Sequence, residues 1–453
     1  MALETILENK RIEVEKRKAA RPLDTFKDDL APSTRSLADA LRRPHTGFIM
    51  ECKKASPSRG PIRPDFDLPA IARTYAAYAD AISVLADEKF FDGRLSFVET
   101  VSQTVDLPVL CKDFTLEPYQ VFEARRFGAD AVLLMMSVLD DAMYTACLAA
   151  ARSIGVDALT EVHDAAELER ALALGADIIG INNRNLKDLS IDLDTSRRLA
   201  PEVPKDKIVV IESGISSHQE IVSFRGTCHS FLVGSSLMSR PDLDRACRDL
   251  VYGQVKVCGL TLPEDARAAF DAGARFGGLI FAEKSPRYVT AERAATVREA
   301  APLDWVGVFV NAAVNEVATL ASALRLSAVQ LHGDETPAYI AALRPALPEG
   351  CEVWKSIPVG DETPNIDGTG ADRVLFDTAD KTLRGGTGRR FDWSLVQGLP
   401  MARIILSGGL DPASAATADE IGALLLDVNS GVETAPGIKS PEKLRRFFDA
   451  LRG

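Results

Sequence analysis

Charged residues follow several apolar runs of this 453-residue chain at the point where each run ends. Glu51 and Lys53 come after TGFIM, Lys112 after PVLC, and Glu161 after ALT. Paired lysines and carboxylates would hold one another charged, and partial burial would tune their pKa values for proton transfer. Any one of them could instead be a salt bridge at the end of a strand, so the hypothesis of acid–base chemistry rests on the whole set.

The second half of the chain carries a different set of reactive side chains. Cys258 ends the run VKVC, Arg287 lies in EKSPRYV, His332 in AVQLHG, and Asp377 ends RVLFD. A lone Cys is usually a small core residue, and a His is usually a structural hydrogen-bonding group. These side chains nevertheless lie at or near the ends of apolar runs, as the charged residues of the first half do.

Small residues follow the last two apolar runs of each half, in ESGIS, VGSS, SGGL and DVNSG. Glycine and serine at such positions expose backbone N–H groups that can bind a phosphate. The GGTG of LRGGTGRR is not followed by Lys-Ser or Lys-Thr, so it does not fit a nucleotide-binding loop. The residues predicted to contact phosphate are Gly214, Gly234, Ser235, Gly408, Gly409, Asn429 and Ser430.

Eight apolar runs in each half would position these residues. The runs are GFIME, AISVLA, PVLCKD, AVLLMM, ALTEV, IIGIN, IVVIES and FLVGS, then VKVCG, GGLIF, WVGVF, AVQLHG, EVWKS, RVLFD, RIILSGG and LLLDVNS. Near-continuous apolar strands that alternate with helices indicate a parallel sheet covered by helices. Eight strand–helix units predict a (β/α)8 barrel, whose active site lies at the C-terminal ends of the strands. Gly128, Gly175 and Gly273 each fit a helix C-cap before the next strand.

The chain is too long for one hydrophobic core, because such cores stop growing at about 250–300 residues. We predict two consecutive TIM barrels in an α/β chain, at residues 1–252 and 253–453, with the division at Tyr252-Gly253. Residues 1–45 precede the first strand and are expected to form extra helices on the first barrel.

Composition restricts the partners and the compartment. The net charge of −12 argues against a nucleic-acid binder but leaves room for small anionic substrates. No apolar run of about 18 residues predicts a membrane span, and the charged N-terminus is no secretory signal. Seven dispersed cysteines without CxxC or zinc spacing suit reduced thiols, so we expect a cytoplasmic protein without a metal.

The motifs ECKKASPS, VLCKDF, TEVHD, INNRNL, ESGI and LVGSSL closely resemble indole-3-glycerol-phosphate synthase across residues 1–252. The resemblance implies that this barrel closes a ring in an open-chain carboxyphenylamino-deoxyribulose phosphate. Carbon dioxide and water then leave, and indole-3-glycerol phosphate results. The family usually has Thr where this chain has Ala86, which could alter a supporting hydrogen bond.

The same resemblance implies individual roles. Lys112 would donate a proton to the substrate carbonyl, Lys53 would hold the anthranilate carboxylate, Glu161 would act as base, and Glu51 would position a lysine and stabilise positive charge. The other implied contacts are Asn182, Arg184 and Ser213 with the substrate, Ser56 with its phosphate, and Phe91 and Phe114 with its aromatic ring. Lys54 is expected to point to the other face of its strand and has no assigned role.

The motifs KVCGLT, FAEKSPRYV, VQLHGDE, GGTGRRFDW and SGGL closely resemble phosphoribosylanthranilate isomerase across residues 253–453. The resemblance implies an Amadori rearrangement of an aminoaldose to an aminoketose. Asp377 matches the general acid and Cys258 the general base, Arg287 would bind the anthranilate carboxylate, and His332 would contact the substrate. FDTADKTLRGGTG would be a mobile loop over the site.

Synthase followed by isomerase is the domain order of the bifunctional enzymes of bacterial tryptophan synthesis. Neither reaction needs a cofactor. One rival hypothesis is a pair of barrels acting on other sugar phosphates, such as an epimerase or a histidine-pathway isomerase. The histidine-pathway barrels use paired Asp, one in each half, where this chain has Cys258 and Asp377. Another is a scaffold in which one barrel only binds. Separate assays of the two halves would discriminate these cases. A monomer is expected, while channelling and the relative orientation of the barrels stay open.

Overall fold

The computed structural model describes residues 3–57, 59–185, 188–378 and 390–453. The chain forms two compact units, Met1–Cys247 and Arg248–Gly453. The division predicted from sequence lies slightly further along, at the end of the helix Leu243–Tyr252. The limit at residue 252 therefore stays a prediction.

The first unit contains a closed barrel of eight parallel strands, as predicted. Each strand pairs with the next one along the chain, and the last pairs with the first. The strands are β1 (Gly47–Cys52), β2 (Ala81–Leu85), β3 (Val109–Lys112), β4 (Ala131–Met135), β5 (Asp157–Val162), β6 (Ile178–Asn182), β7 (Ile208–Glu212) and β8 (Ser230–Val233). Most strand residues are buried on both faces, which explains the continuous apolar runs.

Helices precede and cover this barrel. They are α1 (Leu3–Ala20), α2 (Leu37–Leu41), α3 (Leu68–Ala76), α4 (Glu88–Phe91), α5 (Leu95–Thr104), α6 (Pro118–Arg126), α7 (Asp141–Ser153), α8 (Ala165–Ala173), α9 (Asp194–Leu199), α10 (His218–Ser223), α11 (Ser235–Met238) and α12 (Leu243–Tyr252). The predicted N-terminal helical extension is thus confirmed as α1 and α2. Leu37 and Leu41 of α2 pack into the cluster of apolar side chains inside the barrel, so the extension completes its core.

The second unit contains another closed barrel of eight parallel strands, also as predicted. The strands are β9 (Gln254–Val257), β10 (Phe276–Ile280), β11 (Asp304–Phe309), β12 (Ala328–Leu331), β13 (Glu352–Val359), β14 (Arg373–Thr378), β15 (Ile404–Leu406) and β16 (Leu425–Val428). The helices are α13 (Pro263–Ala272), α14 (Ala291–Glu299), α15 (Val314–Ala323), α16 (Pro337–Leu343), α17 (Ala415–Asp419) and α18 (Pro441–Arg452). A hairpin of Glu433–Ala435 and Ile438–Lys439 follows β16.

The strand–helix alternation is incomplete in this barrel. Residues 360–372, between β13 and β14, contain no helix, and Pro364, Gly368 and Gly370 in this segment disfavour one. One apolar side chain from each of seven successive strands packs inside the barrel. This layer consists of Phe276, Val306, Ala328, Trp354, Leu375, Ile405 and Leu425. The barrel interior is therefore a filled core that supports a site at one end.

The predicted glycine positions at helix ends are observed. Gly175 and Gly273 follow α8 and α13 with φ angles of 82° and 129°, in the region that side chains disfavour. Gly128 follows α6 with a φ of 87°. Among the helices that the structure describes, none has the length and apolar character needed to cross a bilayer.

Helix α1 is attached to the C-terminal end of the first barrel by a buried lysine. Lys10 Nζ lies 2.9 Å from Asp87 Oδ2 and 2.7 Å from Asp113 Oδ1, and the Lys10 side chain is completely buried. Asp87 follows β2 and Asp113 follows Lys112 at the end of β3. The extension therefore supplies the positive charge that two buried carboxylates require.

We expect Lys10→Met to lower the free energy of unfolding of the first barrel by about 3–5 kcal/mol. Asp87 would remain buried without its counter-ion, and Asp113 would keep only Arg17 Nη2, at 3.8 Å. Lys18→Met is the matched control on the same helix. Lys18 pairs with Glu15 and Glu117 near the surface, where such pairs contribute about 0–1 kcal/mol.

Denaturant unfolding followed by hydrogen exchange of the first-barrel strands measures both effects. The chain's three tryptophans, Trp305, Trp354 and Trp393, all lie in the second barrel, so their fluorescence is an internal reference. Equal destabilisation by the two variants would show that the buried cluster around Lys10 has no special contribution.

Candidate active sites

A cavity of ≈ 460 Å³ lies at the C-terminal end of the first barrel. The residues predicted from sequence that line it are Glu51, Lys53, Lys112, Arg184, Ser213, Gly214, Gly234 and Ser235. Glu212 and Arg59 also line it, although sequence reasoning gave neither of them a role. The structure thus brings acid–base groups and small loop residues from several strands to one mouth.

Two lysines in this site are paired with carboxylates. Lys112 Nζ lies 3.0 Å from Glu212 Oε2 and 3.4 Å from Glu161 Oε2, so it sits between the ends of β5 and β7. Lys53 Nζ lies 2.5 Å from Glu51 Oε1. All three carboxylates are almost completely buried, which makes each pair electrostatically strong.

The pairs shift the pKa values of their members. Burial alone would lower the pKa of Lys112, but the carboxylates of Glu212, Glu161 and Glu51 outweigh burial and raise it above the ordinary lysine value. Burial would raise the pKa of Glu161, but the charge of Lys112 and the contacts of His163 lower it to about 2. At neutral pH, Lys112 is therefore protonated and can donate a proton, and Glu161 is ionised and can accept one.

His163 supports Glu161 and was not predicted to have a role, although it lies in the quoted motif TEVHD. Its Nε2 is 3.3 Å from Glu161 Oε1, and its Nδ1 is 3.1 Å from Glu167 Oε2. Burial would lower the pKa of His163, but the two glutamates raise it to about 10. The charged imidazole therefore helps to hold Glu161 ionised.

Glu212 behaves in the opposite way from Glu161. Burial raises the pKa of Glu212 to about 7, because the lowering effect of Lys112 is offset further by the charge of Glu161. Between pH 4.5 and 7 the folded chain then binds more protons than the unfolded chain, so this group makes stability fall as pH rises.

We expect Glu212→Gln to remove the fall in stability that deprotonation of Glu212 causes. The first barrel should therefore lose less stability between pH 5 and pH 8 in the variant than in the wild type. Hydrogen exchange of the strands β1 to β8 in denaturant at the two pH values measures the difference. Because the pKa of His163 is raised, the stability of both proteins falls as the pH rises above 6.5. This contribution is the same in both proteins and cancels when their pH dependence is compared. An equal slope in both proteins would contradict the prediction.

Two glycines of the predicted phosphate loops have clear structural reasons. A Cβ on Gly234 would lie 2.5 Å from Glu51 Oε1 and 3.0 Å from Glu51 Cβ, so the loop after β8 needs glycine to make room for that carboxylate. Ser213 and Gly214 have φ angles of 65° and 93°, which turns the chain sharply after β7. The Asn183 side-chain amide donates to Ser213 O at 3.0 Å and holds this turn.

The other predicted residues of the first barrel lie around the main cavity. Asn182 Oδ1 accepts a hydrogen bond from the Arg184 backbone at 3.0 Å, and both residues line an adjoining cavity. Phe91 and Phe114 are neighbours, with ring centroids 6.2 Å apart, and neither lines the main cavity. Ser56 is buried in a small hairpin of Ala55–Ser56 and Gly60–Pro61.

Neither Lys54 nor Ala86 lines the main cavity. Lys54 Nζ pairs with Asp92 at 2.6 Å. Ala86 is buried, and its backbone N–H donates to Lys112 O at 3.1 Å. A methyl group at residue 86 therefore lies next to the strand that carries Lys112.

A second cavity, of ≈ 110 Å³, lies at the C-terminal end of the second barrel. All eight residues predicted for this site line it: Cys258, Arg287, His332, Asp377, Gly408, Gly409, Asn429 and Ser430. Gln330 and Asp427 line it too, without a predicted role. The predicted loop FDTADKTLRGGTG lies outside the described residues except for Phe376, Asp377 and Thr378.

The thiol of Cys258 lies in a buried environment that opposes the loss of its proton. Burial raises the pKa of Cys258, although the charge of Lys256 and the more distant charge of Lys439 lower it. The thiol is 5% exposed and lies at the floor of the cavity. Two cations therefore oppose, without cancelling, the penalty that burial places on the thiolate.

Arg287 is held by a carboxylate of its own barrel. Its Nε and Nη2 lie 2.9 and 2.8 Å from the two oxygens of Glu433, and Lys439 Nζ contacts the same carboxylate at 2.8 Å. A guanidinium has five N–H groups, so the Nη1–Nη2 edge can still present two parallel donors to a ligand. Glu433 thus fixes the direction in which Arg287 points.

The orientation of His332 follows from its partners. Gln330 Oε1 accepts from Lys256 Nζ at 2.8 Å, which leaves the Gln330 amide nitrogen as donor to His332 Nδ1 at 3.3 Å. A neutral imidazole with an accepting Nδ1 carries its proton on Nε2. That nitrogen lies 3.6 Å from Asp377 Oδ2, so the ring presents an N–H toward the predicted acid.

Over residues 3–57, 59–185, 188–378 and 390–453, no group of three or more His, Cys, Asp and Glu side chains is arranged to hold an ion. The arrangement in each barrel is instead one of paired acids and bases beside small loop residues.

Two family models match the chain. "Indole-3-glycerol phosphate synthase" matches residues 3–250, and "N-(5'phosphoribosyl)anthranilate (PRA) isomerase" matches residues 255–450. A solved phosphoribosyl anthranilate isomerase from Thermus thermophilus is 34% identical, with 44% of this chain and 98% of that chain covered at a TM-score of 0.40.

Full-length relatives contain both parts. The tryptophan biosynthesis protein TrpCF of Salmonella typhi is 49% identical over 450 residues, which cover 99% of each chain. The protein of the same name from Vibrio parahaemolyticus is 51% identical over 442 residues, which cover 97% of this chain and 92% of the relative. The chain therefore belongs to the family of bifunctional tryptophan-biosynthesis enzymes in which an indole-3-glycerol-phosphate synthase barrel precedes a phosphoribosylanthranilate isomerase barrel.

Proposed function

We propose that Lys112, Glu161, Lys53 and Glu51 carry the synthase reaction of the first barrel. The observation that supports this most directly is the position of Lys112 Nζ, 3.0 Å from Glu212 and 3.4 Å from Glu161, on the same cavity as the small loop residues. A cation between two buried carboxylates can give a proton to a substrate oxygen and regain one without leaving its place.

In this proposal the aromatic carbon attacks the substrate ketone while Lys112 protonates the carbonyl oxygen. Lys53 holds the carboxylate until it leaves as carbon dioxide, and is then available to protonate the departing hydroxyl group. Glu51 stabilises the positive charge that develops on the anilinic nitrogen. Glu161 finally takes the proton whose loss from the new ring gives the aromatic indole. The charge of Lys112 holds the pKa of Glu161 low, so that pKa rises once Lys112 has given up its proton.

The remaining contacts hold the substrate in the first barrel. The backbone N–H groups of Gly214 and Gly234 and the hydroxyl of Ser235 bind the phosphate, and Ser56 closes over it. Arg184, Asn182 and Ser213 bind the polar chain. Phe114 and its neighbour Phe91 are proposed to contact the aromatic ring, although neither lines the main cavity. Arg59, on the same cavity, adds positive charge for the two anionic ends of the substrate.

In the second barrel, Asp377 and Cys258 are the proposed acid and base. Asp377 protonates the ring oxygen of N-(5-phosphoribosyl)anthranilate, which opens the sugar to an iminium ion. Cys258, as thiolate, takes the proton from the adjacent carbon, and the resulting enolamine tautomerises to the ketone. Arg287 binds the anthranilate carboxylate with its Nη1–Nη2 edge, and His332 contacts the opened sugar.

The phosphate of this second substrate is proposed to bind the loops after β15 and β16. Gly408, Gly409, Asn429 and Ser430 line the same cavity as Arg287. The aminoketose that leaves this barrel is the compound that the first barrel consumes, so the two sites catalyse consecutive steps. A cytoplasmic monomer acting on small sugar phosphates completes the proposal, and light scattering would test its mass.

A coupled assay on the full chain tests these assignments. The wild type is given N-(5-phosphoribosyl)anthranilate, and the indole product is followed by its fluorescence. Cys258→Ser should leave that substrate unconverted but should still cyclise supplied aminoketose at the wild-type rate. Full isomerase activity of Cys258→Ser would contradict the role of the thiol. A wild type that left the substrate untouched would favour other sugar phosphates.

A further inference from the structure

Lys256 is a charged residue inside the second barrel for which the proposed reaction has no use. Its side chain is completely buried, in a strand whose other described residues are largely apolar. It precedes Cys258 by two positions, so both side chains leave the strand on the same face. An uncompensated ammonium at such a position would be too costly to retain.

The neighbourhood of Gly278 shows that the two side chains converge. A Cβ on Gly278 would lie 2.9 Å from Cys258 Sγ and 3.0 Å from Lys256 Cε. Glycine on β10 therefore leaves a space into which both the thiol and the lysine stem project. Cys258 lines the cavity, and the stem of Lys256 lies beside the thiol.

The ammonium is fixed by two hydrogen bonds. Lys256 Nζ donates to Asp427 Oδ2 at 2.8 Å and to Gln330 Oε1 at 2.8 Å. An ammonium has three N–H groups, so one more is available on the side of Cys258. The carboxylate of Asp427 by itself would repel a thiolate at Cys258. The positive charge of Lys256 compensates that carboxylate, so the pair carries no net charge beside the thiol.

We propose that Lys256 is the positioning residue that stabilises the thiolate form of Cys258 in the isomerase site. This inference rests on the proposed role of Cys258 as the base. The thiol loses its proton to solvent, and the ammonium compensates the resulting negative charge before the substrate proton is taken. The charged and titratable groups around the thiol are Lys256 on β9, Arg287 after β10, His332 after β12, Asp377 on β14, Asp427 on β16 and Lys439 on the following hairpin.

The test measures the thiol directly in the full chain. Alkylation of Cys258 by iodoacetamide is followed against pH, with the modified peptide quantified by mass spectrometry so that the other cysteines do not interfere. In Lys256→Met, the midpoint of alkylation should move up by at least one pH unit. The alkylation rate at neutral pH should fall at least ten-fold, since the thiolate fraction falls about ten-fold per unit.

Lys355→Met is the matched control. Lys355 lies on β13 of the same barrel, is mostly buried, and pairs with Glu335 at 3.1 Å, but it does not line the cavity. This variant loses a comparable ion pair and should leave the alkylation midpoint of Cys258 unchanged. An equal shift in both lysine variants would overturn the inference, because it would reflect general loosening of the barrel.

A second variant keeps the test decisive if Lys256→Met does not fold, which tryptophan fluorescence would reveal. Asp427→Asn removes the negative charge beside the thiol and keeps the lysine, so alkylation should shift to lower pH. A midpoint that stays or rises would overturn the inference. The variants could shift the alkylation midpoint as expected while the wild type showed no isomerase activity. That result would support the charge coupling and refute only the proposed function.

Discussion

Lys112→Met is expected to lower the synthase kcat by ~10²–10⁴-fold, the range by which a positioned proton donor usually contributes. The isomerase should remain active, so N-(5-phosphoribosyl)anthranilate should be converted to the aminoketose and stop there. Methionine keeps the length and the apolar stem of lysine and removes only the charged donor. A coupled assay with chromatographic separation of the two products measures both effects in one sample.

The reason lies in the environment of the ammonium. Lys112 is held between Glu161 and Glu212, and these carboxylates raise its pKa, so it carries a proton at every pH at which the enzyme would work. A donor of high pKa gives its proton with little driving force. The transfer becomes favourable only as negative charge develops on the substrate oxygen, which is the property required of a group that stabilises a transition state.

Lys54→Met is the control for this prediction. Lys54 is one residue from Lys53 and pairs with Asp92 outside the cavity, so its loss should leave the synthase kcat unchanged. The loss of Lys112 also leaves buried carboxylates without a counter-ion, and hydrogen exchange of β3, β5 and β7 would identify any unfolding. A folded Lys112→Met variant that retained wild-type cyclisation would exclude Lys112 as the donor.

The barrels could be predicted because burial on both faces makes each parallel strand a continuous apolar run. The site residues could be found because such a run stops where the strand leaves the barrel. Glu51, Lys112 and Asp377 are each the last or nearly the last residue of a strand, and this position alone places them at one end of the sheet. Topology therefore converts a position in sequence into a position in space.

The same reasoning explains what was missed. Lys256 and Asp427 lie inside the runs VKVCG and LLLDVNS, so a search limited to strand ends passes over them. A charge within an apolar strand is itself a signal, since its burial requires a partner. Their ion pair joins β9 to β16. The two residues lie far apart in sequence, and only the closure of the barrel brings them together.

Other missed contacts come from outside the repeating strand–helix pattern. Glu433 lies in the hairpin that follows the last strand, and Lys10 lies in the helix that precedes the first. Neither position can be related to Arg287 or Asp113 by periodicity, because loop paths and helix docking are decided by tertiary packing. The missing helix between β13 and β14 has a local cause instead, in the Pro and Gly residues of that segment.

Asp377→Asn is expected to lower the isomerase kcat by ~10²–10⁴-fold while cyclisation of supplied aminoketose stays at the wild-type rate. Asp377 Oδ1 accepts the Thr378 N–H at 2.8 Å, and Oδ2 faces His332 Nε2 at 3.6 Å. An asparagine can accept the first of these hydrogen bonds and fill the same volume. The variant therefore removes the transferable proton with little change in packing.

Asp372→Asn makes the same chemical change just before the N-terminal end of the same strand, β14. Asp372 accepts the Val353 N–H at 2.7 Å and pairs with Arg344 at 3.0 Å, away from the cavity. Residues at the N-terminal end of barrel strands support stability rather than catalysis, so this variant should unfold more easily in denaturant but keep its isomerase kcat. If both variants lost activity to the same extent, Asp377 would be a structural residue, and the proton that opens the sugar ring would have to come from another group on the cavity, with His332 Nε2 the nearest alternative donor.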